Sequence, residues 1–220
     1  IRPLFLVAAL ALAPATPSIA QDLENLPDPV AGQYILDRGH SRLVFKVNHL
    51  GFSTFISLFT DLQADLDFNP EDPASMKVVA RVRTDSLETH YQDPALDFNA
   101  IITGPDFLDA AQFPEITFTS TSVVLTGPET ADVTGYLTLH GVTRPITLQV
   151  TYNGCWGAMS LDVTGARIGF SATGTLLRSE FGLGYGVPAP GSEMGVSDAV
   201  EIEIETEFTS LSAAVPLPQP

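Results

Sequence analysis

Residues able to do chemistry are sparse and scattered in this 220-residue chain. His40, His49, His90 and His140 are its four histidines, and no two share the close spacing on one helix or strand that a zinc site requires. They read as hydrogen-bonding residues, His40 and His140 in turns and His49 at a strand end, and no metal is expected. The nearest approach to a serine-nucleophile elbow, Gly51-Phe-Ser-Thr-Phe55, lacks the second glycine and the strand-to-helix setting that exposes the hydroxyl. Ser53 therefore reads as a helix cap or loop hydroxyl. Gly182-Leu-Gly-Tyr-Gly186 has the glycines of a phosphate cradle but no helix start after it. Cys155 is the single cysteine; it cannot form an internal disulfide and reads as a buried, inert thiol. No catalytic residue is expected.

Carboxylates are plentiful but uninformative. In Val200-Glu-Ile-Glu-Ile-Glu-Thr-Glu-Phe208 the four glutamates fall on alternate positions, which in a strand places them on one wet face. The opposite face carries Val200, Ile202, Ile204, Thr206 and Phe208. A packed core and a ligand cavity produce the same alternation, so the function turns on what that face touches.

The elements that would present such faces are strands. Period two runs through Leu43, Phe45, Val47 and His49, through Leu62 to Phe68, and returns at 76–87, 116–125, 133–139, 146–152 and 168–176. With the closing stretch this makes about eight strands, punctuated by Asn-Pro-Glu-Asp-Pro, Thr-Gly-Pro-Glu, His-Gly-Val-Thr-Arg-Pro and Asn-Gly. An antiparallel barrel or sandwich follows. Two segments depart from the pattern: Phe52, Phe55, Ile56 and Phe59 recur at helical spacing, and 94–112 reads as one or two short helices with Ala95, Phe98, Ile101 and Ile102 on one side. The stretch 182–191 is too rich in Gly and Pro for regular structure and reads as a rim loop.

Ten Lys and Arg against 26 Asp and Glu give a formal net charge of −16, which repels phosphate backbones and anionic surfaces and excludes nucleic acid as a partner. Residues 1–20 place one Arg ahead of the apolar run 4–13 and small residues Ser18 and Ala20 before Gln21, the pattern of a secretory signal cut there. The expected organisation is a signal peptide at 1–20, a leader at 21–32, one all-β domain at 33–210 and a tail at 211–220. The location expected is the periplasm.

The stretch Tyr34-Ile-Leu-Asp-Arg-Gly-His-Ser-Arg-Leu-Val-Phe-Lys-Val-Asn-His-Leu-Gly-Phe-Ser53 resembles the opening signature of the YceI-like family of bacterial periplasmic proteins. Matches continue in order at Gly104–Asp109, Phe113–Ser120, Gly135–Pro145 and Arg178–Gly182. The resemblance implies an eight-stranded antiparallel lipocalin-like β-barrel with short helical insertions, closed around an apolar tunnel for a polyisoprenoid, such as an isoprenoid quinone, or another long amphiphile. It implies binding without catalysis, no covalent cofactor, and a membrane b-type cytochrome as a partner in some relatives; a homodimer is left open. Where relatives often carry Gly and a basic residue before Phe59, this chain has Ser57 and Leu58, and its 91–97 segment also differs, which bears on head-group contacts.

On this view the tunnel is lined by Leu43, Phe45, Val47 and His49, then Phe52, Phe55 and Phe59, then Phe98, Ile102 and Phe107 of the insert. Phe118, Leu137 and Phe170 follow from the middle strands, Arg178 and Phe181 from the rim, and Ile202, Ile204 and Phe208 from the last strand. Arg42, His49, Tyr91 and Arg178 are candidate mouth donors. Each buried methylene contributes about 0.8 kcal/mol, so a chain of roughly fifteen to twenty carbons supplies about 12 to 16 kcal/mol before ordering costs. Half of that, about 6 to 8 kcal/mol, gives binding from tens of micromolar to about micromolar, so affinity needs no polar network. The alternatives at this point are an accessory that presents quinone to a cytochrome, and a barrel filled by its own side chains that serves as an interaction surface.

Overall fold

The computed structural model describes residues 31–157, 165–192 and 194–211; the expected signal at 1–20, the leader as far as residue 30 and the tail from residue 212 lie outside them. Eleven strands are present among the described residues: β1 (Gly32–Leu36), β2 (Arg42–His49), β3 (Ser53–Phe59), β4 (Leu62–Phe68), β5 (Lys77–Arg83) and β6 (Leu87–Glu88), then β7 (Glu115–Leu125), β8 (Thr130–Leu139), β9 (Val142–Trp156), β10 (Arg167–Leu177) and β11 (Val196–Ser210). They form one sheet in the order β1-β4-β5-β7-β8-β9-β10-β11-β2-β3-β6, and a further pairing of β1 with β11 closes it.

Eleven strands fill eight barrel positions because three positions are kinked. Leu36 of β1 faces Phe208 and Arg42 of β2 faces Glu205, so residues 37–41 stand opposite Thr206 and Glu207 alone. β1 and β2 thus lie end to end along β11, separated by a bulge-like bend. β4 and β3 repeat the arrangement against them, and β5 and β6 against β4 and β3. The bends are stapled to one another: Arg38 Nη2 donates to Asp61 Oδ1 at 2.7 Å, and the Ser86 carbonyl and hydroxyl accept the amides of Thr60 and Asp61 at 2.9 and 3.1 Å. Counting each kinked pair once leaves an eight-stranded, closed antiparallel barrel, as the alternation and the resemblance lead one to expect.

The expected helix at 52–59 is strand β3. Phe55 and Phe59 are four apart, a spacing common to both periods, and Phe52, which tipped the pattern toward a helix, belongs to the preceding turn and is 88% exposed. In the strand, Ser53, Phe55, Ser57 and Phe59 face inward while Ile56 is exposed. The 94–112 region holds one five-residue helix, α1 (Phe98–Ile102), capped by the Asp97 carboxylate on the Ala100 amide, and is otherwise turns. Phe98 and Ile102 turn inward, but Ile101 is 40% exposed. The turn expected over 140–145 is shorter: His140 and Gly141, at φ of 51° and 72°, make a two-residue hairpin, and Thr143 to Pro145 already belong to β9.

On β11 the glutamates face outward, opposite Arg42, Val44 and Lys46 on one side and mostly Thr and Ser of β10 on the other. Lys46 pairs with Glu203, and Ser171 Oγ donates to Glu205. Carboxylates are thus flanked by cations and hydroxyls rather than by one another, which makes the ladder tolerable.

Candidate ligand-binding site

Buried apolar side chains form two clusters rather than one. Tyr34, Leu66, Phe68, Ile168 and Phe208 belong to the first; Phe118, Leu137, Leu148, Leu176 and Phe181 belong to the second. Several inward-pointing residues between them, among them Phe45, Val47, Ala172, Ile202 and Ile204, are only half-buried. An inward side chain in a closed barrel stays accessible only if the barrel is hollow. A cavity of about 1020 Å³ accounts for it, at the upper end of the usual range for small-molecule sites. The filled-barrel alternative fails on this point.

Small side chains make the room. Ala64 and Ala80 are opposite partners on β4 and β5, Ala80 faces Phe118, and Ala172 faces Ile204. Gly135 lets the Phe118 ring lie flat on β8; a Cβ there would meet Phe118 Cζ at 2.5 Å.

The structure places Leu43, Phe45, Val47, His49, Phe55, Phe59, Phe98, Ile102 and Phe107 on the cavity wall, together with Phe118, Leu137, Phe170, Arg178, Ile202, Ile204 and Phe208. Two expected residues are elsewhere. Phe52 projects from the β2–β3 turn into solvent. Phe181, 1% exposed, packs within the second cluster under the β8–β9 hairpin. Wall residues that the aromatic count overlooked include Val78, Ile116, Leu148, Val150 and Tyr152. Their strands were recognised, and the inward parity of each strand, followed through its small and aliphatic members, would have found them. Cys155 is half-buried and lies on the wall, not in the core.

One mouth is built by the β2–β3 turn, the insert after β6 and the loop after Phe181. Phe55 and Phe98 approach edge to face with centroids 5.8 Å apart, Tyr91 and Phe98 lie 4.7 Å apart, and Phe107 and Tyr185 4.9 Å apart. Of the expected mouth donors, Arg42 is off the wall and donates to the Gly39 and Ser41 carbonyls. Arg178, 8% exposed, donates to the carbonyls of Ser197, Leu183, Tyr185 and Val196 at 2.7 to 2.9 Å, which pins both feet of the loop. Burial lowers its pKa from the ordinary arginine value, with the Asp198 charge acting in the opposite sense. His49 and Tyr91 lie on the wall, joined by Ser53, which is the first residue of β3 rather than a helix cap.

Asp37, His40 and Glu207 bring potential metal ligands within 4.8 Å of one another, but Arg167 Nη1 donates to Asp37 at 2.7 Å and to Glu207 at 2.9 Å. The guanidinium supplies the positive charge that a metal would bring. Asp37 is held at a pKa of about 2, chiefly by the hydrogen bond from His40, with that from Arg167 adding to it against the upward push of burial. The wall is mostly apolar and suited to holding an apolar chain.

A YceI-like domain profile matches residues 34–208. A UPF0312 protein of Pseudomonas savastanoi pv. phaseolicola is 36% identical over 207 residues, covering 91% of this chain and 95% of the relative. Among solved structures, Burkholderia cenocepacia BcnA superposes with a TM-score of 0.65 at 23% identity, over 78% of this chain and 98% of its own. A polyisoprenoid-binding domain from Saccharophagus degradans does so at 0.57 and 14% identity, over 80% and 98%. At those identities the two structures establish the shared fold. The profile and the Pseudomonas relative each cover most of the chain, and this protein belongs to the YceI-like family.

Proposed function

We propose that this protein is an exported carrier or store that holds one long-chain amphiphile, a polyisoprenoid such as an isoprenoid quinone or a comparable lipid, in the barrel without transforming it. The observation that carries the proposal is the cavity of about 1020 Å³ on whose wall Phe, Leu, Ile and Val predominate. Such a wall excludes water and rewards each methylene it covers. A soluble fatty metabolite with a large polar part would leave that surface unsatisfied. The Saccharophagus degradans domain of the same fold, described as polyisoprenoid-binding, supports the same ligand class. The N-terminal pattern supports export, and the periplasm is the proposed location.

Native mass spectrometry of the protein purified from its host tests the proposal. A bound mass in the range of isoprenoid or acyl lipids, exchangeable with an added isoprenoid quinone, is the expected result. Absence of any bound amphiphile together with failure to take up a quinone analogue would overturn it.

A further inference from the structure

The polar side chains at the described mouth restrict the head group of the ligand. His49, Ser53, Thr89, Tyr91 and Arg178 are the polar wall residues at that end. Arg178 is the cation among them, and its guanidinium is engaged by four main-chain carbonyls, so displacing it toward a ligand would release the loop it pins. Thr89 Oγ1 donates to Asn99 Oδ1 at 2.6 Å. His49, Ser53 and Tyr91 have no hydrogen bond from their side chains to another described residue. They also lie together: His49 and Ser53 are directly opposite across β2 and β3, and Tyr91 stacks on Phe98, which in turn packs on Phe55 two residues along β3.

Three carboxylates sit on or beside the segments that build the mouth, off the cavity wall. Glu88 precedes the insert and accepts the His90 amide, Asp97 caps α1, and Asp198 accepts from Ser179 beside the turn that ends β2. Lys46, the cation nearest in sequence on β2, faces outward and is paired with Glu203. Lys77 also reaches the cavity wall, but it opens β5 opposite Asp67, at the far end of the barrel from the insert. A phosphate or carboxylate head at this mouth would therefore meet hydroxyl and imidazole groups but no lysine, and no arginine free of main-chain partners, among the described wall residues at that end.

We infer that the mouth selects an amphiphile with a neutral, hydrogen-bonding head, an alcohol, ester or quinone carbonyl, and rejects the anionic phosphate of an otherwise identical chain, with His49, Ser53 and Tyr91 as the head-group contacts. The inference rests on the tunnel function proposed above and adds the class of head. An anion desolvated without a partner loses far more than a neutral oxygen does, and a preference for the neutral head of at least about tenfold is expected.

The experiment uses the full chain and three ligands with one skeleton: geranylgeraniol, geranylgeranyl phosphate and the parent hydrocarbon, each measured by competition against a fluorescent polyene. The alcohol should bind at least about tenfold tighter than the phosphate, and the S53A/Y91F variant should weaken the alcohol several-fold while leaving the hydrocarbon unchanged. Ser53→Lys should narrow or reverse the preference by supplying the missing cation. Equal or tighter binding of the phosphate by the unaltered protein would overturn the inference, as would equal weakening of alcohol and hydrocarbon in the variant. If all three ligands fail to bind, the tunnel function itself falls and the head-group selection with it.

Discussion

The Arg178 guanidinium donates to the Tyr185 carbonyl at 2.7 Å, and the Tyr185 ring lies 4.9 Å from Phe107 of the insert. One buried side chain thereby couples the end of β10 to the far wall of the mouth. Arg178→Met keeps much of the volume but leaves four carbonyls without their donor, and each buried polar group so orphaned costs about 1–3 kcal/mol where water does not reach it. A loss of about 3 kcal/mol or more, read from urea midpoints, is expected. Arg178→Lys should recover only a minor part, because an ammonium has three donors and no planar fork. A loss within about 0.5 kcal/mol for the Met variant would show that the loop holds without the arginine.

Two phenylalanines of the same barrel should respond in opposite ways. Phe208 is 5% exposed within the first cluster, so Phe208→Ala should cost about 3–5 kcal/mol. Phe45 faces the hollow and already has accessible surface, so Phe45→Ala should cost distinctly less, as measured by thermal or urea unfolding. For ligand uptake the order inverts. Phe45→Asp puts a carboxylate on the apolar wall and should abolish uptake while the far-UV circular dichroism spectrum stays that of the barrel. Uptake at the unaltered level would remove Phe45 from the binding surface.

The barrel was legible in the sequence because its long strands alternate cleanly, β11 above all, and because the YceI-like motifs lie in order along them. The hollow was not. Ile202 and Ile204 alternate in the same way whether they meet a lipid or each other, and it is the paired alanines at 64 and 80 on neighbouring strands that open the space, a juxtaposition fixed by register rather than by local pattern. Phe52 misled because spacings of three and four among 52, 55, 56 and 59 satisfy a helical period, while strand pairing with β2 overrides it. Arg178 was visible as a motif residue, but its role depends on carbonyls 5 to 19 positions away, which no periodicity reveals.

The β8–β9 hairpin offers a test of backbone fit. Gly141 sits at φ of 72°, and a Cβ there would lie 2.5 Å from Phe113 Cε1, whose ring packs edge-on to His140 at 4.5 Å. Gly141→Ala combines an unfavourable conformation with displacement of a ring, so it should destabilise by more than about 1 kcal/mol. Adding Phe113→Leu should return part of the loss if the clash matters and none if the dihedral alone does. A urea-melt comparison of the two variants separates them.

Acid should loosen the seam between β1 and β11 in a defined window. Asp37 accepts from His40 at 2.9 Å and from Arg167 at 2.7 Å, and its pKa falls from the ordinary 3.8 to about 2. Because the folded value is the lower one, the stabilisation is fully present above about pH 4 and is lost as pH falls through about 2. The group is partly exposed, so solvent screening reduces its worth to about 1 kcal/mol. Asp37→Asn should therefore be less stable than the unaltered protein at pH 6, and the gap between their urea midpoints should close progressively from pH 4 toward pH 2. A gap that stayed constant over that range would assign Asp37 a role through its shape and neutral hydrogen bonds, with its charge contributing nothing.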